Sequence, residues 1–184
     1  MSGDRYFITD QNGIYFTTFT IVDWLDVFIR DSYRIQIVED LNYCIANKGL
    51  EVYCWCLMTS HLHMIISAKE GYRISDIIRD FKKHTAKSIL NKIQTEPESR
   101  REDLIWHFER AGKYDSRITT YKFWQEDNHA VNIDPMNTEM MKQKMDYIHE
   151  NPVKEGWVQC PHEYVYSSAK DYAGQPGLVK ILFV

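Results

Sequence analysis

Long apolar runs are missing from this 184-residue chain. No stretch approaches the roughly 20 consecutive apolar residues that a membrane-spanning helix needs, and the first residues lack the basic-then-apolar order of an export signal. The expectation is a soluble, cytoplasmic protein with no membrane partner. Cysteine is sparse as well. Cys44, Cys54, Cys56 and Cys160 are too few for a disulfide scaffold and are read as free thiols. Positive charge is also short, with 22 Lys and Arg against 26 Asp and Glu and a net charge of -4. That total argues against a broad basic field that would grip phosphate from all sides. Internal repeats and low-complexity tracts are absent too, which excludes solenoids and compositional linkers.

What remains is a chain of 44% hydrophobic residues, in the size range where one core buries most of the surface. Residues 1–184 are therefore expected to form a single domain, with its core over about residues 13–174. Local charge differs from the total. Between Lys69 and Arg101 the chain carries Arg73, Arg79, Lys82, Lys83, Lys87, Lys92 and Arg100, while its first forty residues are rich in aspartate.

Residues 13–22 are dense in β-branched and aromatic side chains after a Gln-Asn-Gly turn signal, and so predict a strand. From Asp31 to Asn47 the apolar positions Ile35, Val38, Leu41, Ile45 and Ala46 recur at helical spacing, with Lys48-Gly49 as the stop. Two apolar runs, Glu51 to Thr59 and His61 to Ala68, predict a hairpin that turns near Thr59-Ser60. Ser75 is a candidate cap for a helix to about Lys92, with Ile77, Ile78, Phe81, Ala86, Ile89 and Leu90 inward and the basic residues outward. Residues 94–117 read as irregular or weakly helical. Tyr121 to Gln125 predicts a short strand, and Asn137 caps a last helix whose inner stripe is Met140, Met141, Lys144, Met145 and Ile148, with Pro152 limiting its length. This order gives an α+β fold of ferredoxin-like type: an antiparallel sheet with helices on one face, plus a C-terminal helix.

Two places could carry chemistry. In His61-Leu62-His63 the period of a strand turns both imidazoles to one side and Leu62 to the other, so two ligands converge. In the last helix, Tyr147 and Asn151 stand four residues apart and share a face. His149 points elsewhere and is given no role. Cys54-Trp55-Cys56 also puts two sulfurs on one side of a strand near the histidine pair, which leaves a zinc site open against the alternative of ordinary buried cysteines.

Residues 58–66 (Met-Thr-Ser-His-Leu-His-Met-Ile-Ile), 80–83 (Asp-Phe-Lys-Lys), 123–125 (Phe-Trp-Gln), 147–158 (Tyr-Ile-His-Glu-Asn-Pro-Val-Lys-Glu-Gly-Trp-Val) and 166–169 (Tyr-Ser-Ser-Ala) together resemble the single-tyrosine transposases with a His-hydrophobic-His motif, in particular their REP-associated branch. The resemblance runs from about Thr17 to Gly174, in the family's order. It implies that His61, His63 and Asn151 hold a divalent ion, Mg²⁺ or Mn²⁺, and that Tyr147 is the nucleophile of a single-strand DNA nicking and joining enzyme. The products would be a 3′-hydroxyl and a 5′-phosphotyrosine bond on hairpin-forming DNA, with no nucleotide cofactor. Nitrogen and amide ligands with open positions suit such an ion, and a neutral phenol needs that kind of electrostatic help to attack. Arg79, Lys82, Lys83 and Lys87 are the candidate DNA contacts, positioning backbone rather than reading sequence. Tyr72, Trp106 and Trp124 are candidates for stacking unpaired bases. A homodimer is the expected assembly. Two alternatives stay open: a relative that binds structured DNA without cutting it, and a zinc-stabilised module built on Cys54, Cys56, His61 and His63.

Overall fold

Seven consecutive residues, Ile14–Thr20, form strand β1 in the computed structural model, which describes residues 8–115 and 120–184. Its side chains alternate between two separate apolar clusters. Tyr15 and Phe19 enter one, and Phe16 enters the other. A strand covered on both faces has no polar side to show, which is why its sequence reads as an almost continuous apolar and threonine run. Helix α1 follows at Asp31–Asn47, then strands β2 at Leu50–Leu57 and β3 at His61–Ala68, then helix α2 at Ile74–Thr95. The hairpin turns where the sequence predicts, over residues 58–60.

The sheet is antiparallel throughout, in the order β2-β3-β1-β4, with β4 at Val131–Ile133. That is the ferredoxin-like arrangement. The predicted strand at Tyr121–Gln125 is not part of it: this segment makes an isolated bridge, Trp124 to Ile21, two backbone bonds to β1 and the turn after it, and one from Lys122 N to Phe108 O. The reason lies in its aromatics. Phe123 and Trp124 are both turned into the core against Phe28, which a flat ladder alternating sides would forbid.

Helices α1 and α2 cover one face, packing on Leu62, Met64 and Ile66. The α1 stripe is rotated from expectation. Tyr33, Ile37, Leu41 and Cys44 face inward and Ile35 stands exposed, because Tyr33 and Cys44 carry the apolar surface that a count of aliphatic residues overlooks. Helix α2 starts without a side-chain cap, and Ser75 instead donates its hydroxyl to Gln11 Oε1 at 2.6 Å. Residues 94–117 contain a further helix, α3, at Arg101–Lys113. Leu104, Phe108 and Gly112 form its buried stripe at a strict spacing of four, too short a signal to stand out in a polar segment. Gly112 is required there, since a Cβ would lie 2.5 Å from the Thr120 carbonyl oxygen. Ser116 and Arg117, at the end of that stretch, lie outside the described residues.

Helix α4, Thr138–Lys154, is capped by the Asn137 side chain accepting from Met140 N at 2.9 Å, as predicted. It packs on the opposite face of the sheet from α1 and α2, with Met141 and Ile148 against Phe16, Cys54, Cys56 and Ile65. Pro152 sits inside its last turn, and the helix ends two residues later. Among the described residues no helix is long and apolar enough to cross a membrane.

Candidate active site

The turn before β3 is held from outside the hairpin. Ile21 N donates to Ser60 O and Phe28 N to Thr59 O, at 2.9 and 2.8 Å, and the Thr59 hydroxyl donates to Asp26 Oδ1 at 2.5 Å. That fixes the register in which His61 and His63 leave the turn, both on the face that α4 covers. Their rings lie 4.6 Å apart between centroids. His63 is 3% exposed, with Nδ1 2.8 Å from Thr18 Oγ1. Its other nitrogen, Nε2, is buried with no hydrogen-bond partner, and so is Oγ1 of Thr20, which pairs with His61 across the ladder. Orphaned buried polar atoms are few in native proteins, and two on one patch of sheet mark a place built for something further.

Burial lowers the pKa of His61 to about 4, and burial with the neighbouring His61 lowers that of His63 to about 3. Both rings are therefore neutral near pH 7, the state in which an imidazole nitrogen can bind a metal. Among the described residues no group of three or more His, Cys, Asp or Glu side chains is placed to hold an ion.

Tyr147 arrives from α4. Its ring meets His63 edge-on, with centroids 5.3 Å apart, and meets Phe16 at 5.9 Å. Phe16 in turn stacks on His63 at 5.9 Å, so the three rings form one cluster across the sheet and helix. Tyr147 remains 43% exposed, so the phenol is reachable from solvent. Lys154 Nζ lies 5.4 Å over the Tyr147 ring and Lys144 Nζ 4.8 Å over that of Phe16. One turn on, Asn151 Nδ2 donates to the Tyr147 carbonyl at 2.6 Å. That bond fixes the amide plane and leaves Oδ1 as an acceptor on the tyrosine's face.

His149 has a place that spacing alone does not reveal. Its Nε2 lies 3.1 Å from Cys54 Sγ and 2.9 Å from Ser168 Oγ, tying α4 to β2 and to the segment that follows helix α4. Burial pushes its imidazole down to about 4. Residues 166–168 run beside β2, with Leu57 N bonded to Tyr166 O and Ser168 N to Trp55 O. The zinc quartet of Cys54, Cys56, His61 and His63 is not assembled: Cys54 turns to His149, and Cys56 turns to Met58 Sδ at 3.7 Å. All four cysteines are free thiols.

The four basic residues of α2 divide into two kinds. Arg79 is paired with Asp76 and Asp80 at 2.7 and 2.9 Å. Lys82 is turned inward, donating to Gln125 O and Asn128 Oδ1 at 2.7 and 2.8 Å, and burial lowers its pKa to about 8. Lys83 and Lys87 are exposed. All four stand on the helix that covers the sheet face opposite the histidines. Among the aromatic candidates, Trp124 is core, with Nε1 bonded to Thr85, while Tyr72 and Trp106 are exposed. Besides Phe16 and Tyr147, a further aromatic adjoins the histidines: Trp24, 5.5 Å from His61. Neither Trp24 nor Thr18 carries a local sequence signal, since both are placed by pairing across the sheet and turn.

Comparison with known proteins gives similarities in sequence and in fold. Residues 25–109 match the family model described as IS200-like transposase, a span that includes His61 and His63 and ends before Tyr147. A Haemophilus influenzae protein named as a REP-associated tyrosine transposase is 22% identical over 91% of this chain and 92% of its own length. A solved REP-associated tyrosine transposase bound to a REP hairpin shares the fold, at 20% identity and a TM-score of 0.65, covering 99% of this chain and 92% of that one. Residues 25–109 are thus similar to the IS200-like transposases, and over nearly its whole length the chain resembles a REP-associated tyrosine transposase in sequence and shares the fold of another.

Proposed function

We propose that the chain is a metal-dependent transposase that nicks and rejoins single-stranded, hairpin-forming DNA through a 5′-phosphotyrosine. The observation that carries this reading is the contact between Tyr147 and His63. A purely structural tyrosine has no need to sit beside a buried imidazole whose outer nitrogen lacks a partner.

The residue types suit a divalent ion such as Mg²⁺ or Mn²⁺: two neutral imidazoles, His61 and His63, and the amide oxygen of Asn151 would hold it, fewer than the ion's full set, so that phosphate and water oxygens would complete it. A ligating Nε2 on His63 requires its proton on Nδ1, which then donates to Thr18 Oγ1, 2.8 Å away. When bound, the ion polarises the non-bridging oxygens of the scissile phosphate. Tyr147 Oη attacks the phosphorus, the bond to the 3′ oxygen breaks, the phenol proton is lost to solvent and the leaving oxygen takes one up. Phe16 and His63 hold the ring in place, and Lys154 sets a positive charge beside it. The phosphotyrosine retains the phosphodiester's energy, so an incoming 3′-hydroxyl reverses the step and joins a new end. No nucleotide cofactor takes part. Among the α2 residues, Lys83 and Lys87 are those available to bind backbone.

The contact of Tyr147 with His63 within one chain supports a site built from a single copy. A homodimer is a separate proposal that light scattering decides. The test of the function is incubation with end-labelled hairpin single strands and Mg²⁺ or Mn²⁺. A covalent protein–DNA adduct is expected from wild type and not from Tyr147→Phe, and His61→Ala should lose cleavage while keeping much of its DNA affinity. Equal adduct from Tyr147→Phe would overturn the nucleophile. DNA binding with no adduct from any variant would favour a structure-specific binding protein instead.

A further inference from the structure

Immediately after β1 the backbone takes an unusual course. Asp23 and Trp24 both adopt positive φ, 54° and 56°, in a chain with only one other such non-glycine residue among those described, His129. Two adjacent left-handed side chains are held by a side-chain clamp. Asp23 Oδ2 lies 2.8 Å from His107 Nδ1 and accepts from Arg110 at 2.6 Å, both on α3. The clamped carboxyl is held below the usual range by its hydrogen bond to His107.

The consequence of the clamp is the position of Trp24. Its indole is 58% exposed yet stands 5.5 Å from the His61 ring at 71° between planes. Such a T-shaped contact engages one edge or one face of the indole, and more than half of the residue's surface stays exposed. Left-handed backbone at two residues is a cost that a folded chain keeps where the surroundings enforce it, and such sites cluster where ligands bind. Here it brings a large aromatic surface to the border of the histidine site and leaves more than half of it exposed. Core packing does not explain that placement.

We propose that Trp24 is a stacking platform for an unpaired nucleobase next to the scissile phosphate, with Asp23, His107 and Arg110 as the clamp that presents it. The inference rests on the nuclease reading and adds to it a subsite for the flanking base. Stacking on an aromatic ring accepts any base, so the platform positions the strand and does not read its sequence.

The test uses the full chain in a Tyr147→Phe background, which prevents turnover. The probe is a fluorescein-labelled oligonucleotide with a hairpin and an unpaired flank, followed by anisotropy, and an abasic site is placed at each flanking position in turn. One abasic position is expected to weaken binding by about tenfold or more. Trp24→Ala should weaken the intact probe by a similar factor and become indifferent to that same abasic site, while Trp24→Phe keeps most of the affinity. Tyr43→Ala, an exposed aromatic on α1, should bind unchanged. Trp24→Ala binding like its parent, or losing affinity by a factor that multiplies in full with the abasic loss, would overturn the platform. A thermal melt confirms that Trp24→Ala is folded, and Trp24→Phe carries the test if it is not. If the parent binds no single strand at all, the nuclease reading and the platform fall together. Binding that is intact and indifferent to Trp24 removes the platform alone.

Discussion

Thr18 Oγ1 and His63 Nδ1 lie 2.8 Å apart on neighbouring strands, so the threonine of β1 occupies one nitrogen of the β3 histidine and leaves Nε2 as the one without a partner. Thr18→Val removes the hydroxyl at nearly constant volume. The variant should bind Mn²⁺ about 10 to 100 times more weakly, as loss of a partner behind a metal-binding histidine commonly does. Isothermal titration measures this, with Thr18→Ser expected to retain most of the affinity. Unchanged affinity in Thr18→Val would separate His63 Nε2 from metal binding.

Acid should destabilise the fold through its buried imidazoles. His149 is pushed from an ordinary 6.5 down to about 4, so between those values the unfolded chain binds a proton that the folded chain refuses. The stability this group contributes is complete above pH 6.5 and declines as pH falls toward 4, by on the order of 3 kcal/mol. His61 and His63, pushed down to about 4 and about 3, act with the same sign. His149→Gln can still bond Ser168 and does not titrate. Urea melts at neutral and acid pH should show a shallower loss for this variant than for wild type, and an identical slope would refute the assignment.

Phe16 joins the two halves of the site, since its ring touches both His63 and Tyr147 and is 7% exposed. Phe16→Ala should cost about 3–5 kcal/mol in stability, the usual range for emptying such a site. Phe16→Leu keeps more of the volume and should cost less than about 1.5 kcal/mol. Because leucine offers no ring edge to Tyr147, adduct formation by Phe16→Leu should slow more than its melting temperature suggests. Wild-type rates would show that Phe16 only fills space.

Charge removal on α2 should sort the four basic residues by their present partners. Lys83→Gln and Lys87→Gln remove exposed charges, and for every phosphate that is no longer neutralised the slope of log affinity against log salt should shrink by about 0.7 for a single strand. Arg79→Gln should change the slope little, since Asp76 and Asp80 already neutralise that guanidinium. Lys82→Met should act on stability, through the bonds to Gln125 and Asn128, more than on salt dependence. A large drop in slope for Arg79→Gln with none for Lys83→Gln would reverse this order.

Much of the fold was legible because its signals are local. The bounds of α1, the hairpin before His61 and the Asn137 cap each follow from side chains within a few residues, where periodicity and capping chemistry act. Signals failed where burial depended on distant partners. Helix α3 rests on three inward residues whose cover comes from elsewhere in the chain, and Tyr121–Gln125 has strand composition but sends both aromatics inward. The partners of the α2 cations were hidden for the same reason: no spacing rule shows that Lys82 finds a carbonyl and an amide in residues 125–128.

That two imidazoles share one side of a strand, and that Tyr147 and Asn151 share one side of a helix, is written in the order of the residues, because both relations are set by the repeat of a single element. Packing alone brings those two sides face to face. Helix α4 crosses to the sheet face that α1 and α2 leave open, since Met141 and Ile148 can bury their apolar surface there against Phe16 and Ile65. The same packing sets Tyr147 on His63, and the fold of α3 against Asp23 sets Trp24 beside His61. Contacts between elements far apart in the chain depend on which surfaces remain to be covered, and no local pattern encodes that.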